Sequence, residues 1–242
     1  MSVNVGLVSA AILAALAVAT ASPGAGATPA GCGQGAVCAG AYRYAGYQAD
    51  STAHGVRATI TTLSIPTVGA GHVAAWVGVG GRESGPDGTD SWLQAGVAAL
   101  PGEKPYLYTE VVRPDRRPEQ RTIASNVATG RAYRLAVLEI KQRPGWWRVW
   151  LDGSVAVDAI RLLGTADGWK PTATTESWNG DGQACNTFAF RFQSVALADA
   201  RGGSWRPFSA GRRFLDRGYR LRRLELASPN GRVSFAFETS SP

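Results

Sequence analysis

Three polar side chains suited to hydrolytic chemistry recur beside aromatic residues at a spacing of two. They are Gln94, Glu110 and Glu176, and the aromatic neighbours are Trp92, Tyr108 and Trp178. A carboxyl group can take a proton from water and return it to a leaving group, and an amide can donate a hydrogen bond to developing negative charge. Because alternate residues of a strand share a face, each pair would lie on one side of a sheet.

The elements that must position these residues are short strands. Eleven segments between Gly55 and Glu238 are rich in β-branched, aliphatic or aromatic residues, with Gly, Pro and Asn turn signals between them. Two prolines and six charges predict an exposed loop from Arg113 to Arg121, and only Pro207 to Arg217 has room for a turn of helix. The pattern predicts an all-β, antiparallel sandwich rather than a helical or mixed fold.

Alternation along these strands assigns their faces. Val73, Ala75 and Val77 would point to one side, and Trp76 to the other. In the later strands the same alternation places aromatic and polar residues on one face and aliphatic or small residues on the other. The resulting set is Trp76, Trp92, Gln94, Tyr108, Glu110, Glu176 and Trp178. We expect a polar groove lined by aromatic rings, and a binding site within it.

Several motifs in this order resemble the glutamic peptidases, the eqolisin family, and their exported bacterial relatives. They are Tyr44-Ala45-Gly46-Tyr47, Trp76-Val77-Gly78-Val79-Gly80, Trp92-Leu93-Gln94-Ala95-Gly96-Val97, Tyr108-Thr109-Glu110 with Arg113-Pro114, and Ala173-Thr174-Thr175-Glu176. The resemblance covers about residues 42 to 200. It implies a concanavalin A-like (jelly-roll) sandwich of two sheets, a polypeptide substrate and a catalytic Gln–Glu dyad at Gln94 and Glu176. Trp76 and Glu110 match positions that line the family's cleft.

The chemistry of such a dyad needs no metal, cofactor or nucleophilic serine or cysteine. A glutamate acts as general base toward the attacking water, and a glutamine amide stabilises the oxyanion. Tryptophan walls raise the pKa of the carboxyl group, which favours an acidic working pH. In agreement with the absence of a metal, the sequence has only two histidines, His54 and His72, and no Cys-x-x-Cys motif.

A non-catalytic module that binds carbohydrate or cell wall is the alternative function. Aromatic side chains along a groove suit the faces of sugars, and Gly80 stands where the resembled family has an aspartate. The formal charge of +7 also departs from the acidic fungal members. Glycoside hydrolysis needs two carboxylates flanking the bond, and no Glu-x-Asp-x-x-Glu strand is present.

Individual residues also have simpler interpretations. Gln94 could be an ordinary strand residue, Glu176 a solvated or arginine-paired carboxylate, and Glu110 a structural group within the groove. His72 begins a strand and is expected at the surface. The C-terminal arginines are expected to form a solvated edge that discourages strand pairing. No motif supports nucleic-acid binding.

The first 27 residues have the pattern of a secretory signal peptide. Val5 to Ala21 is uncharged and apolar, and Ala19-Thr20-Ala21 and Ala25-Gly26-Ala27 are small-residue cleavage sites. We expect a flexible arm over 28–41, one sandwich domain over 42–240, and a secreted monomer with no membrane span in its mature form; a membrane anchor is the other interpretation of the apolar run. Export permits disulfides, and the pairing of Cys32, Cys38 and Cys185 stays open.

Overall fold

The structure is a computed structural model that describes residues 42–114, 116–162, 164, 169–180, 186–227 and 233–241. The expected signal peptide and arm, and all three cysteines, lie outside these residues. Signal cleavage and disulfide pairing therefore stay predictions.

Fifteen strands make up nearly all of the regular structure in the described part of the chain. They are β1 (Tyr42–Ala49), β2 (Gly55–Thr67), β3 (His72–Gly81), β4 (Ser91–Ala99), β5 (Tyr106–Val112), β6 (Glu119–Ala124), β7 (Ala132–Glu139), β8 (Trp146–Leu151), β9 (Ser154–Arg161), β10 (Pro171–Trp178), β11 (Thr187–Ala198), β12 (Trp205–Pro207), β13 (Ala210–Leu215), β14 (Arg220–Ala227) and β15 (Val233–Ser240). The helical element among the described residues is one 3₁₀ turn at Pro86–Gly88. Within the described part of the chain, no helix has the length and apolar character to cross a membrane.

The strands form two antiparallel sheets. The front sheet has the order β13-β1-β10-β3-β4-β5-β6. The back sheet has the order β14-β15-β11-β2-β7-β8-β9, and β12 pairs with β11 beside it. The predicted fold class, an all-β antiparallel sandwich of two sheets, is confirmed.

The main core lies between the sheets because each strand turns its apolar positions inward. Val73, Ala75 and Val77 of β3 are fully buried there, as the alternation predicted. Trp147 of β8 is also fully buried and packs edge-on against Trp169, with ring centroids 6.0 Å apart. Burying an aliphatic or aromatic side chain of this kind stabilises the fold by about 1.5–3 kcal/mol, so this interior holds the two sheets together.

One local prediction was wrong, and a second placed one boundary wrongly. Pro207 to Arg217 contains no helical turn, because Ala210–Leu215 pairs with the outer edge of β1 as strand β13. The expected loop at Arg113 to Arg121 runs into strand β6 from Glu119, which completes the other edge of the front sheet beside β5. In both places an exposed, charged segment is extended because a neighbouring strand supplies its hydrogen bonds. Local composition does not reveal which strand will be its neighbour.

Candidate functional site

The outer face of the front sheet, called the site face below, carries all seven residues singled out from the sequence. Residues directly paired across neighbouring strands point to the same side. The registers therefore place the following residues together: Trp76 on β3, Trp92 and Gln94 on β4, Tyr108 and Glu110 on β5, and Glu176 and Trp178 on β10. The inward-facing neighbours of these residues belong to the core.

Gln94 lies in contact with Glu110. Its Nε2 donates hydrogen bonds to the Tyr108 hydroxyl at 3.1 Å and to Glu110 Oε1 at 3.3 Å. Trp92 Nε1 donates to the same Glu110 oxygen at 2.9 Å. Because β4 and β5 pair Gln94 directly with Glu110, the backbone register itself brings the amide and the carboxyl group together.

Burial raises the pKa of the Glu110 carboxyl group above its ordinary value. The hydrogen bond from Trp92 opposes this shift, and the negative charge of Glu176 adds to it. The sign of the shift follows from desolvation, which disfavours the charged form. Glu110 therefore holds its proton at a higher pH than an exposed glutamate does, which suits a group that must both accept and return protons under mildly acidic conditions.

Glu176 lies in a second cluster on the same face. His72 Nε2 donates to Glu176 Oε1 at 2.8 Å, and the Tyr44 hydroxyl donates to the same carboxylate. The side chains of His72 and Glu176 are only 14% and 13% exposed, so this is a partly buried pair. The expectation that His72 is a surface residue was wrong: β3 places it two positions before Ala74, on the face that carries Trp76, and Glu176 holds it there.

Aromatic rings surround this second cluster. Tyr42 stacks on Trp178 with ring centroids 5.8 Å apart and planes 12° apart, and it stacks on Tyr44 at 6.4 Å. Burial, together with the charges of Glu176 and Glu110, raises the pKa of the Tyr42 hydroxyl to about 12. Burial and the charge of Glu176 also raise the pKa values of the Tyr44 and Tyr108 hydroxyl groups. These hydroxyl groups stay protonated at physiological pH, where that of Tyr44 donates to Glu176 and that of Tyr108 accepts from Gln94.

The structure does not bring Gln94 and Glu176 into contact. Gln94 is paired with Gly78, and Gly78 is paired with Thr172 on β10. Glu176 lies four residues beyond Thr172 on that strand. A flat sheet with this offset would place the Cα atoms of Gln94 and Glu176 roughly 16 Å apart, and no hydrogen bond of the described residues joins them. The β10 residue that faces Gln94 across Gly78 is a threonine.

Trp76 occupies the middle of the site face and has an unused donor. It is 9% exposed, and its Nε1 is buried with no hydrogen-bond acceptor among the described residues. It packs with other site-face residues in a small apolar cluster. The members are Ala74, Trp76, Ala98, Tyr106 and Tyr108, with Tyr44 and Leu100 at the border. Since a buried donor without a partner is costly, an acceptor atom of a ligand at this point would be stabilising.

Asn186 holds the end of the site face where His72 and Trp178 lie. Its Nδ2 donates to the backbone oxygens of Ala70, His72 and Trp178 at 3.0, 3.2 and 3.1 Å, and its Oδ1 accepts from Gly69 N at 3.0 Å. The side chain is fully buried. This amide therefore ties the start of β3 to the end of β10.

The sequence interpretation missed the residues that complete the second cluster, the one around Glu176. His72 lies four residues before Trp76 on the same strand, and Tyr42 lies two residues before Tyr44. Extending the strand alternation to the start of each strand would therefore have placed them on the site face. Among the described residues, no three His, Cys, Asp or Glu side chains come together as a set of metal ligands.

Comparison with known proteins identifies relatives in fold alone. No family model and no curated protein matches the sequence. A solved structure of scytalido-glutamic peptidase with a peptide-based transition-state analogue is 14% identical, with a TM-score of 0.54 over 83% of this chain and 98% of that one. The same peptidase with a transition-state analogue inhibitor is 12% identical, with a TM-score of 0.53 and the same coverage.

A third solved structure also belongs to a peptidase. It is SCP-B, a member of the eqolisin family of peptidases, in a complex with the tripeptide Ala-Ile-His. The sequence identity is 14% and the TM-score 0.50, over 82% of this chain and 97% of that one. At these identities the three structures establish a shared β-sandwich fold.

Proposed function

We propose that the site face binds an extended polypeptide and hydrolyses it at acidic pH, and that the protein acts outside the cell. The observation that carries the proposal is the hydrogen-bonded pair of Gln94 and Glu110. It joins an amide to a carboxyl group of raised pKa on a face with aromatic walls. The structural neighbours add support, since their solved complexes hold a peptide-based analogue and a tripeptide.

In the proposed reaction, the Glu110 carboxylate takes a proton from a water molecule while the water oxygen bonds to the peptide carbonyl carbon. Gln94 Nε2 donates a hydrogen bond to the carbonyl oxygen as it becomes negative. Once protonated, Glu110 is a weaker hydrogen-bond acceptor. The Gln94 Nε2 hydrogen that was bonded to Glu110 is then free to bond to the negative carbonyl oxygen. Glu110 then gives its proton to the leaving amine as the C–N bond breaks.

Glu176 has a binding role in this proposal. Its carboxylate is already held by His72 and Tyr44, and the row of Tyr42, Trp178 and Tyr44 rings beside it offers apolar contact to a substrate side chain. The resemblance instead implies Glu176 as the catalytic glutamate opposite Gln94. Mutation of each carboxyl group separates these assignments.

The test is incubation of the purified protein with an unfolded protein substrate from about pH 2 to about pH 7, the range over which carboxyl groups titrate. New peptide termini are counted by mass spectrometry. We expect cleavage that is strongest in mild acid and falls toward about pH 2 as the Glu110 carboxylate becomes protonated, that resists pepstatin and chelators, and that is lost in Gln94→Ala and Glu110→Gln. A folded protein that cleaves nothing across this range would overturn the hydrolytic proposal.

A second candidate function is binding of a polymer without hydrolysis. The observation that favours it is Thr172, which leaves β10 without a carboxyl group opposite Gln94. Peptide or glycan arrays probed with the labelled protein distinguish the ligands. Retained binding together with no cleavage would support this candidate over the first.

A further inference from the structure

One straight line of side-chain positions crosses the whole site face. Each strand of the front sheet contributes one residue, because consecutive registers pair these residues directly. From edge to edge the transverse row is Arg212, Gln48, Thr172, Gly78, Gln94, Glu110 and Gln120. Six of the seven have polar side chains, and Gly78 packs directly against Gln94, whose Cβ would lie 2.9 Å from a Cβ at position 78. Gln48, Thr172 and Gln94 are only 9%, 3% and 6% exposed, so they form the floor of the path that a polymer lying across the strands would follow.

The row carries opposite charges near its two ends. Arg212 lies on edge strand β13, is exposed, and forms no ion pair among the described residues. Its guanidinium carbon lies 4.9 Å from the centre of the Phe214 ring, which supports the side chain along the site face. Glu110 lies five strands away on β5 and is held by Gln94 and Trp92. A bound chain therefore meets a cation at one side and a carboxyl group at the other.

The next residue along β13 shows that this position is distinct. Arg213 is also an exposed arginine, but it pairs with Tyr47, whose ring packs against Phe235 and Phe237 in the interior. Strand alternation thus directs Arg213 away from the site face. The two arginines have the same charge and lie on the same strand, but their side chains point to opposite faces of the sheet.

We propose that Arg212 determines specificity by binding an acidic group of a polypeptide that lies along the transverse row. This inference rests on the proposed polypeptide-binding function. Guanidinium groups form paired, charge-assisted hydrogen bonds with carboxylates. Four interstrand steps separate Arg212 from Gln94, about 19 Å, and an extended peptide advances about 3.4 Å per residue. The acidic group therefore lies five or six residues from the residue over Gln94.

The experiment uses fluorescent peptides of about 12 neutral polar residues, each with a single aspartate moved along the chain. Binding to the full-length protein is measured by anisotropy at neutral pH, and mass spectrometry verifies that each peptide stays intact. We expect one or two adjacent aspartate positions to bind about tenfold more tightly than the others, the effect of one charged hydrogen-bonding contact. Arg212→Gln should abolish this preference. Arg213→Gln, which removes the same charge from the other face, should keep it.

Three outcomes would overturn the inference. They are equal binding of all aspartate positions, a preference that survives in Arg212→Gln, and an equal loss in both variants, which would indicate general attraction to a basic protein. If peptides bind, or are cleaved in acid, without a positional preference, the Arg212 assignment falls and the proposed function stands. If no peptide binds and none is cleaved, both the proposed function and the Arg212 assignment are wrong.

Discussion

Gln94 and Glu176 point from the same face of the front sheet, yet two interstrand steps and four residues along the strand separate them. The register decides this, because Gln94 is aligned with Gly78 and Thr172 while Glu176 is aligned with Ala74. The carboxyl group in contact with Gln94 is that of Glu110. The site face thus contains two separate carboxyl centres, one beside an amide and one beside a histidine, and each can be removed without changing the other's hydrogen bonds.

The first prediction concerns the division of labour between these carboxyl groups. Glu110→Gln should lower kcat/KM for peptide cleavage at least about 100-fold, the usual contribution of a general acid or base. Glu176→Gln should change it less than about tenfold and act mainly on KM, because its role is binding. Single-substrate kinetics at acidic pH measures both. The reverse order would assign the catalytic glutamate to Glu176 and remove Glu110 from the reaction.

The second prediction is a pH-dependent stability difference. Glu110 has a raised pKa in the folded protein, so the native state keeps this proton at pH values where the unfolded chain has lost it. The free energy of unfolding therefore falls as the pH rises from 4.5, the ordinary pKa of a glutamate, through the raised pKa of Glu110 in the folded protein. Glu110→Gln keeps an acceptor for Trp92 and has no proton to lose. Its Tm should match that of the wild type near pH 4 and exceed it by a few degrees at about pH 7.

The control for this measurement is Glu119→Gln on the neighbouring strand β6, where the carboxyl group is paired with Arg113 near the surface. Unlike Glu110→Gln, this variant should not gain Tm relative to the wild type when the pH is raised from about 4 to about 7. A Glu110→Gln variant that is less stable than the wild type at neutral pH would show that the charged carboxylate supports the fold.

Strand alternation was sufficient to predict the fold class and the residues of the site face, because side-chain direction has a fixed period of two. Trp76 and Glu176 share a face because β3 and β10 are neighbours in one sheet and each turns its other alternate residues toward the core. The distance between Gln94 and Glu176 was not predictable in the same way. It depends on how many residues β10 slides past β3, and any even shift preserves the alternation.

The remaining errors have a related cause. Strand β13 forms because the edge of β1 is available, and its arginine-rich sequence gives little local indication of a strand. His72 was expected at the surface because a polar residue at the start of a strand usually is. Its partner Glu176 is 104 residues away in the sequence. Pairings between distant segments decide both cases.

The third prediction concerns the support that Asn186 gives to the site face. Asn186→Ala would leave three backbone oxygens and the Gly69 amide without this partner at a partly buried place. We expect a loss of about 2 kcal/mol in the free energy of unfolding, since a buried unsatisfied group costs about 1–3 kcal/mol and these groups keep some access to water. Urea denaturation measures it. Asn126→Gly is the control: Asn126 is exposed at a φ of 59°, which glycine adopts freely, so the change should stay within about 0.5 kcal/mol.

The last prediction tests the contact between the two sheets. Thr175 on β10 faces the core, and its hydroxyl lies 2.6 Å from that of Thr239 on β15. The residues are 0% and 2% exposed. This bond links the front sheet, directly behind Glu176, to the back sheet across a mostly apolar interior.

Because a buried hydroxyl without a partner is expensive, Thr175→Val and Thr239→Val should each lower the free energy of unfolding by about 1–2 kcal/mol. The double variant replaces both hydroxyls by methyl groups of similar shape. It should recover most of the loss and differ from the wild type by less than about 0.5 kcal/mol. A double-mutant cycle from urea denaturation gives the coupling between the two residues. Additive losses would show that the hydroxyls act independently and that apolar packing alone joins the sheets at this point.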